Sequence, residues 1–252
     1  IFIGDALTTT IALVLFIVYV KPSKENISTE VVNEKEYKID KYASSSTAKV
    51  LFQIPILILF PIMMLLEQFA YSQWGFSLPL QMAALFGDNS AKLYGFLGAF
   101  NAIIVIAFTP LLTHKTRKHN SLNVMSLGGV LYGLCFLVIG FSKSMPLFFI
   151  AIFLLTIGEI LLAINSSAFI ANNTPPSHRG RISAVIPIIS GAGYALGPMI
   201  MGNIIDSNSI FMAWMVVTTV SFIEAGVLIL LKRVKVNEIK YNTILNRTDN
   251  LK

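Results

Sequence analysis

Apolar residues along this chain fall in blocks of about 20, separated by short polar or charged stretches. A block of that length crosses a hydrocarbon core of about 30 Å at about 1.5 Å of helix rise per residue. The blocks predict about seven membrane-spanning helices, over residues 1–20, 50–74, 91–112, 121–141, 145–170, 182–205 and 210–231. The first lacks a basic leader, and Lys21-Pro22-Ser23-Lys24 stands where a signal peptide would carry small residues at its cleavage site. It reads as a true span, and because the chain opens at Ile1 already inside it, an upstream part is expected.

Composition agrees: 55% of residues are hydrophobic and 13% charged, against about 25% charged in an average soluble domain. The net charge of +6 and pI near 9.4 raise the question of a nucleic-acid or anionic partner, which the placement of the charges answers. Of the 19 Lys and Arg, 17 fall in residues 21–49, 113–120, 173–181 and the tail from Lys232. The intervening connections, 75–92, 142–144 and 206–209, hold only Lys92 and Lys143. This alternation follows the positive-inside rule and places the linker and the carboxyl terminus in the cytoplasm. Nucleic acid is excluded as the partner; the lipid bilayer of a cell membrane takes its place, with the chain crossing it several times. The segment 21–49 mixes acids and bases without apolar periodicity and reads as a flexible linker. The expected domains are therefore a helix at 1–20, a cytoplasmic linker at 21–49, six helices at 50–231 and a cytoplasmic tail at 232–252.

Every Lys and Arg lies at or beyond a span end, whereas Glu67, Glu159 and Glu224 fall inside the second, fifth and seventh spans, and Asp5 lies near the outer end of the first. An ionised side chain at a helix centre costs about 2.5–3.5 kcal/mol on insertion scales, so such acids face a bundle interior or a wet cavity. With no embedded cation to pair with, these carboxyls are candidates to take up and release a proton. The competing reading is a permanently neutral acid tying helices together. Glu67, Tyr71 and Trp74 share a helical face at i, i+4, i+7. Acid, phenol and indole on one face suit an organic cation, or else an aromatic belt at the membrane surface. Gln68 neighbours that face, and Asn101 and Asn165 are further polar groups at membrane depth, serving either a solute or an interhelical tie.

In the sixth span, Gly193 and Gly197 form a small-xxx-small face, and Pro187 and Pro198 remove backbone hydrogen bonds; Gly193, Gly197 and Pro198 are the candidate flexing positions. Gly129 and Gly133 repeat the spacing in the fourth span. Cys135 lies in an apolar helix as a small buried residue. His114, His119 and His178 all lie in loops, and there is no metal-spaced cluster, nucleophile motif or phosphate-binding glycine loop. Neither an enzyme nor a metal or other cofactor is expected.

Gly158-Glu159 in the fifth span, Arg179-Gly180-Arg181 before the glycine-rich sixth, and the Gly197-Pro198 that closes it resemble the major facilitator superfamily; the Gly-Glu helix followed by Arg-Gly-Arg resembles its drug:proton antiporter branch and also its proton-coupled peptide carriers, while the glycine-proline motif of the antiporters belongs to a helix of the family that this chain lacks. The loop His114-Lys115-Thr116-Arg117-Lys118-His119 keeps the basic character of the family's signature loop but lacks its Gly and Asp. The resemblance implies an all-α membrane bundle of twelve helices in two halves, with this chain supplying the sixth helix, the central loop and the carboxyl-terminal half. Its missing amino-terminal half would be the chief protein partner. On this reading Glu159, Glu67 and Glu224 are the candidates for proton coupling, and Gln68, Tyr71, Trp74 and Asn101 line the substrate cavity. The expected function is proton-coupled efflux of a small amphipathic or cationic solute by alternating access. A proton-coupled importer of peptides or other nutrients is the alternative, and a seven-helix receptor a more remote one.

Overall fold

The computed structural model describes residues 56–249 apart from 175, with a few isolated residues before them; side chains are described as far as Lys232, that of 176 excepted. The chain divides into two units, Ile1–Lys41 and Tyr42–Lys252. In the first, only Thr9, Thr10, Leu13 and Val14 are described, all helical. The first span is otherwise outside the described residues, as are Asp5, nearly all of the linker and the start of the second span.

The second unit is helical, with no strand among its described residues. Five helical stretches are long and apolar enough to cross a membrane: Ile56–Thr116, Ser121–Phe141, Met145–Asn173, Arg179–Ser207 and Ile210–Lys232. The first, at 61 residues, is about three times the length a bilayer core requires, and it divides. Helix α1 is Ile56–Gly75, α2 is Ser77–Phe86, a 3-10 turn covers Gly87–Asn89, and α3 is Ser90–Thr116. Gly87 makes the turn with φ +53, a conformation that strains any residue with a Cβ. Helices α4 (Ser121–Phe141), α5 (Met145–Asn173), α6 (Arg179–Ser207) and α7 (Ile210–Asp249) follow.

Two features differ from the hydropathy reading. Residues 75–92 are not a plain connection, since α2 forms there. Its ten residues are too few to span, so a count of membrane-length blocks passes over them. Yet it buries Leu78 and Met82, and Gln81 Nε2 donates to the carbonyls of Ile139 (3.0 Å) and Ser142 (3.3 Å) at the end of α4. Likewise, α7 does not stop with the apolar block at Leu231; only its membrane-length part ends at Lys232, and the helix continues to Asp249.

Local chemistry sets the helix starts. Asn120 is extended and its side chain accepts from Leu122 N at 3.0 Å, capping α4. Pro146 occupies the first turn of α5, where no donor is lost. Helix α4 then packs along both α5 and α7, α1 pairs with α6, and α3 lies on α5. Small residues allow the close approaches. A Cβ on Gly128 would stand 3.0 Å from the Gly158 carbonyl, and one on Gly158 would stand 2.9 Å from the Gly128 carbonyl. Gly129 lies against Ala225, and Gly133 against the Phe222 ring. At the α1–α6 crossing, a Cβ on Gly193 would collide with the Leu65 carbonyl and one on Gly197 with Ser72 Oγ. Helix α6 passes through Pro187 and Pro198 without a break. Between α4 and α7, Phe136 stacks on the fully buried Trp214 with ring centroids 5.8 Å apart.

Candidate functional site

A cavity of about 310 Å³ opens between α1, α4 and α5. Its α1 wall presents Met64, Glu67, Gln68 and Tyr71, one helical face by i, i+3, i+4, i+7 spacing. The α5 wall presents Glu159, Leu162, Ala163, Ser166 and Ser167, and Tyr132 of α4 closes the back. Ala163 and Ser167 are exposed, so the cavity reaches the surface of the unit along α5.

Both oxygens of the Glu159 carboxyl are engaged. Tyr71 Oη donates to Oε1 at 3.1 Å across the α1–α5 gap, and Asn101 Nδ2 of α3 donates to Oε2 at 3.2 Å. Asn101 Nδ2 also lies 2.8 Å from Thr156 Oγ1, one turn before Glu159. Thr156 in turn donates to the Ile152 carbonyl at 2.7 Å, which fixes its lone pairs toward α3. Glu159 thus has one donor on each of two neighbouring helices, an arrangement that sets its rotamer. Glu67, buried on the opposite wall, accepts from Gln68 Nε2 at 2.8 Å and interacts electrostatically with Glu159. Two carboxyls therefore share one partly apolar cavity, with every Lys and Arg of the chain at or beyond a span end.

Of the residues singled out in the sequence, Glu67, Gln68, Tyr71 and Glu159 line the cavity and Asn101 reaches it through Glu159. Trp74 does not join them. It turns toward α3, where its ring lies 5.5 Å from that of Tyr94 and its carbonyl accepts from Tyr94 Oη at 3.1 Å. Asn165 donates to the Leu161 carbonyl of its own helix at 2.8 Å. Glu224 is fully buried on α7 and is not a lining residue. Gly193 and Gly197 seat α6 against the α1 helix that carries Glu67 and Tyr71, and Pro198 follows in the same turn.

Sequence reading missed Tyr132, Ser166 and Ser167. The serines had a signal, since they follow Glu159 by seven and eight residues and share its helical face. Tyr132 had none, because a tyrosine in an apolar span looks like a core residue.

Comparison with known proteins points one way. The sequence profile of the Major Facilitator Superfamily matches residues 1–186 and 62–245. Two curated relatives from Bacillus subtilis (strain 168) are the uncharacterized MFS-type transporter YqjV, 30% identical over 140 residues, and the uncharacterized MFS-type transporter YttB, 26% identical over 143. These alignments take in 55% and 56% of this chain but 34% and 36% of the relatives, so the chain spans about a third of their length. Among solved structures, a POT family transporter in complex with 5-aminolevulinic acid aligns over 90% of this chain and 52% of its own, with TM-score 0.56. A POT family transporter in complex with a thioalcohol conjugated peptide aligns over 92% and 52%, with TM-score 0.59. Both are 14% identical, a likeness of fold.

Proposed function

Because this chain belongs to the Major Facilitator Superfamily, we propose that it is the carboxyl-terminal part of a secondary transporter whose substrate site includes the cavity between α1, α4 and α5. The observation that carries this reading is Glu159, fixed by Tyr71 and Asn101 at the wall of a cavity that, among the described residues, holds a second acid and no base. A carboxylate in such surroundings needs a positive partner. It can be satisfied by a proton or by a cationic solute, and one carboxylate does not bind both. That exclusivity is the logic of exchange: a solute arriving from one side displaces the proton, and a proton arriving from the other displaces the solute. The rocking of two halves about a midplane site supplies the alternation.

On this account Glu159 carries the coupling proton, with Glu67 as the second acid that tunes its occupancy. Tyr71 and Gln68 contact the solute, and Asn101 positions Glu159 from the neighbouring helix. The solute is small, amphipathic and cationic, and it leaves the cell. A second reading, import of peptides with protons, uses the same acids in the opposite direction. It draws support from the two POT family transporters of similar fold, one solved with a conjugated peptide and the other with 5-aminolevulinic acid.

The deciding measurement is proton movement in liposomes containing the full-length protein, with internal pH followed as lipophilic cations and then small peptides are added. Cations should move protons in the parent protein and not in Glu159→Gln. Movement with peptides alone would replace the exporter by the importer, and unchanged coupling in both Glu159→Gln and Glu67→Gln would sink the assignment of the acids.

A further inference from the structure

Away from the cavity lining, α7, which packs on both α4 and α1, carries a second set of buried polar side chains. Thr218, Ser221 and Glu224 lie at successive i, i+3 positions on α7, and all three are buried. Glu224 has no exposed surface at all. Neither of its carboxyl oxygens has a hydrogen-bond partner among the described residues, nor do Thr218 Oγ1, Ser221 Oγ and Tyr132 Oη. A carboxyl kept as helix-to-helix glue would be tied across the interface. The adjacent contact shows what such a tie looks like, with Ser126 Oγ of α4 donating to the Ala225 carbonyl at 2.8 Å. Glu224, one residue away, has no equivalent.

The titratable neighbours of Glu224 are acids and phenols. From α4 comes Tyr132, which interacts electrostatically with it, and Cys135 lies one turn further along. From α1 comes Glu67, which also acts on it. Helix α2 has no titratable residue; those of α6 are Arg179, Arg181 and Asp206 near its ends and Tyr194 on its exposed face. On α7 itself the nearest base is Lys232, two turns away at the end of the apolar stretch. Among the described residues, then, no basic side chain stands beside Glu224, and a proton would neutralise it.

Tyr132 connects this group to the cavity. Its ring lies on Gly158, where an added Cβ would stand 2.8 Å from Cδ1, and it forms part of the cavity wall beside Glu159. Its hydroxyl, like the Glu224 carboxyl, is buried without a hydrogen-bond partner among the described residues, and its side chain shares the cavity wall with Glu67 and Glu159.

We propose that Glu224 is a second proton-binding site, separate from the cavity and linked to its acids through the Tyr132 hydroxyl. Unpartnered buried polar atoms are places that internal water takes, and the hydroxyls of Thr218 and Ser221 extend the path. A proton leaving Glu67 is taken up on Tyr132 Oη as that hydroxyl passes its own proton, through water, to an ionised Glu224. Glu67 ends as a carboxylate, Glu224 as a neutral acid, and the phenol is unchanged. Repulsion between two carboxylates in an apolar interior disfavours the doubly ionised pair, so charge on one acid holds the proton on the other.

The test is infrared spectroscopy of the full-length protein in liposomes transferred from H₂O to D₂O. The parent should show a neutral-acid carbonyl band that is lost in Glu224→Gln and displaced in Glu224→Asp, two independent assignments should one variant fold poorly. Its shift on deuteration should slow at least tenfold in Tyr132→Phe, which keeps the ring that packs on Gly158. Three results would overturn the proposal: a spectrum unaltered by either Glu224 variant, an exchange rate in Tyr132→Phe equal to the parent's, or a band that vanishes on adding sodium ions, which would make this a metal-cation site. The spectrum reads no transport, so this proposal and the exchange reading of Glu159 can fail separately.

Discussion

At the scale of single residues, the cavity depends on how Glu159 is held. A hydrogen bond to a charged group contributes about 1.5–3 kcal/mol, so loss of the Tyr71 donor is expected to matter while leaving the ring in place. Tyr71→Phe should raise the half-saturating concentration of a cationic solute about tenfold, equivalent to about 1.4 kcal/mol, with the protein still folded. An unchanged transport curve would mean that Asn101 alone orients the acid. Much of this site was legible in the sequence, because a carboxyl at membrane depth is costly wherever it occurs and therefore conspicuous. Glu67 and Glu159 stand out on that ground, and Tyr71 by its place one turn beyond Glu67 on the same face. Helical spacing put Tyr71 and Trp74 on one face, and the structure separates them, with Tyr71 on the cavity wall and Trp74 against Tyr94. Trp74 lies at the end of α1, where the chain turns into α2 and Tyr94 provides a competing aromatic partner. Tyr132 could not be found from its own residue type, since what distinguishes it is the pairing of α4 with α5, a tertiary fact.

At the scale of elements, glycines decide which helices touch. A Cβ at Gly193 meets backbone atoms of α1, which cannot rotate aside, whereas a Cβ at Gly191, half a turn away, meets nothing within 4 Å. Gly193→Ala should therefore cost about 1–3 kcal/mol through overpacking, read as a lower melting temperature in detergent. Gly191→Ala should leave stability unchanged or raise it by up to about 1 kcal/mol. Equal melting temperatures for the two would show that α6 does not sit on α1 as described. The hydropathy pattern found the long helices because bilayer thickness imposes a length on them. It passed over α2, which answers to the Gln81 bonds and to buried Leu78 and Met82, constraints of packing rather than of span.

At the scale of the whole molecule, the family assignment makes this a multi-pass membrane protein, and the distribution of charge adds an orientation that can be measured. With Cys135 replaced by Ala, a single cysteine at Asn120 should react with an impermeant maleimide only from the cytoplasmic side, and one at Asn208 only from the outside. Labelling of both from the same side would overturn the topology. Position 120 lies in the turn between α3 and α4, and position 208 in the turn between α6 and α7.

The crossing of α1 and α6 also bears on how such a sequence can drift. Where Gly193 meets the Leu65 carbonyl, one of the touching groups is main chain and the other is the absence of a side chain. The contact is specified by what is missing, since a Cβ at Gly193 has no room against main chain that cannot turn aside. Two positions left bare, Gly193 and Gly197, set how closely this helix pair approaches, one against main chain and the other against the Ser72 hydroxyl.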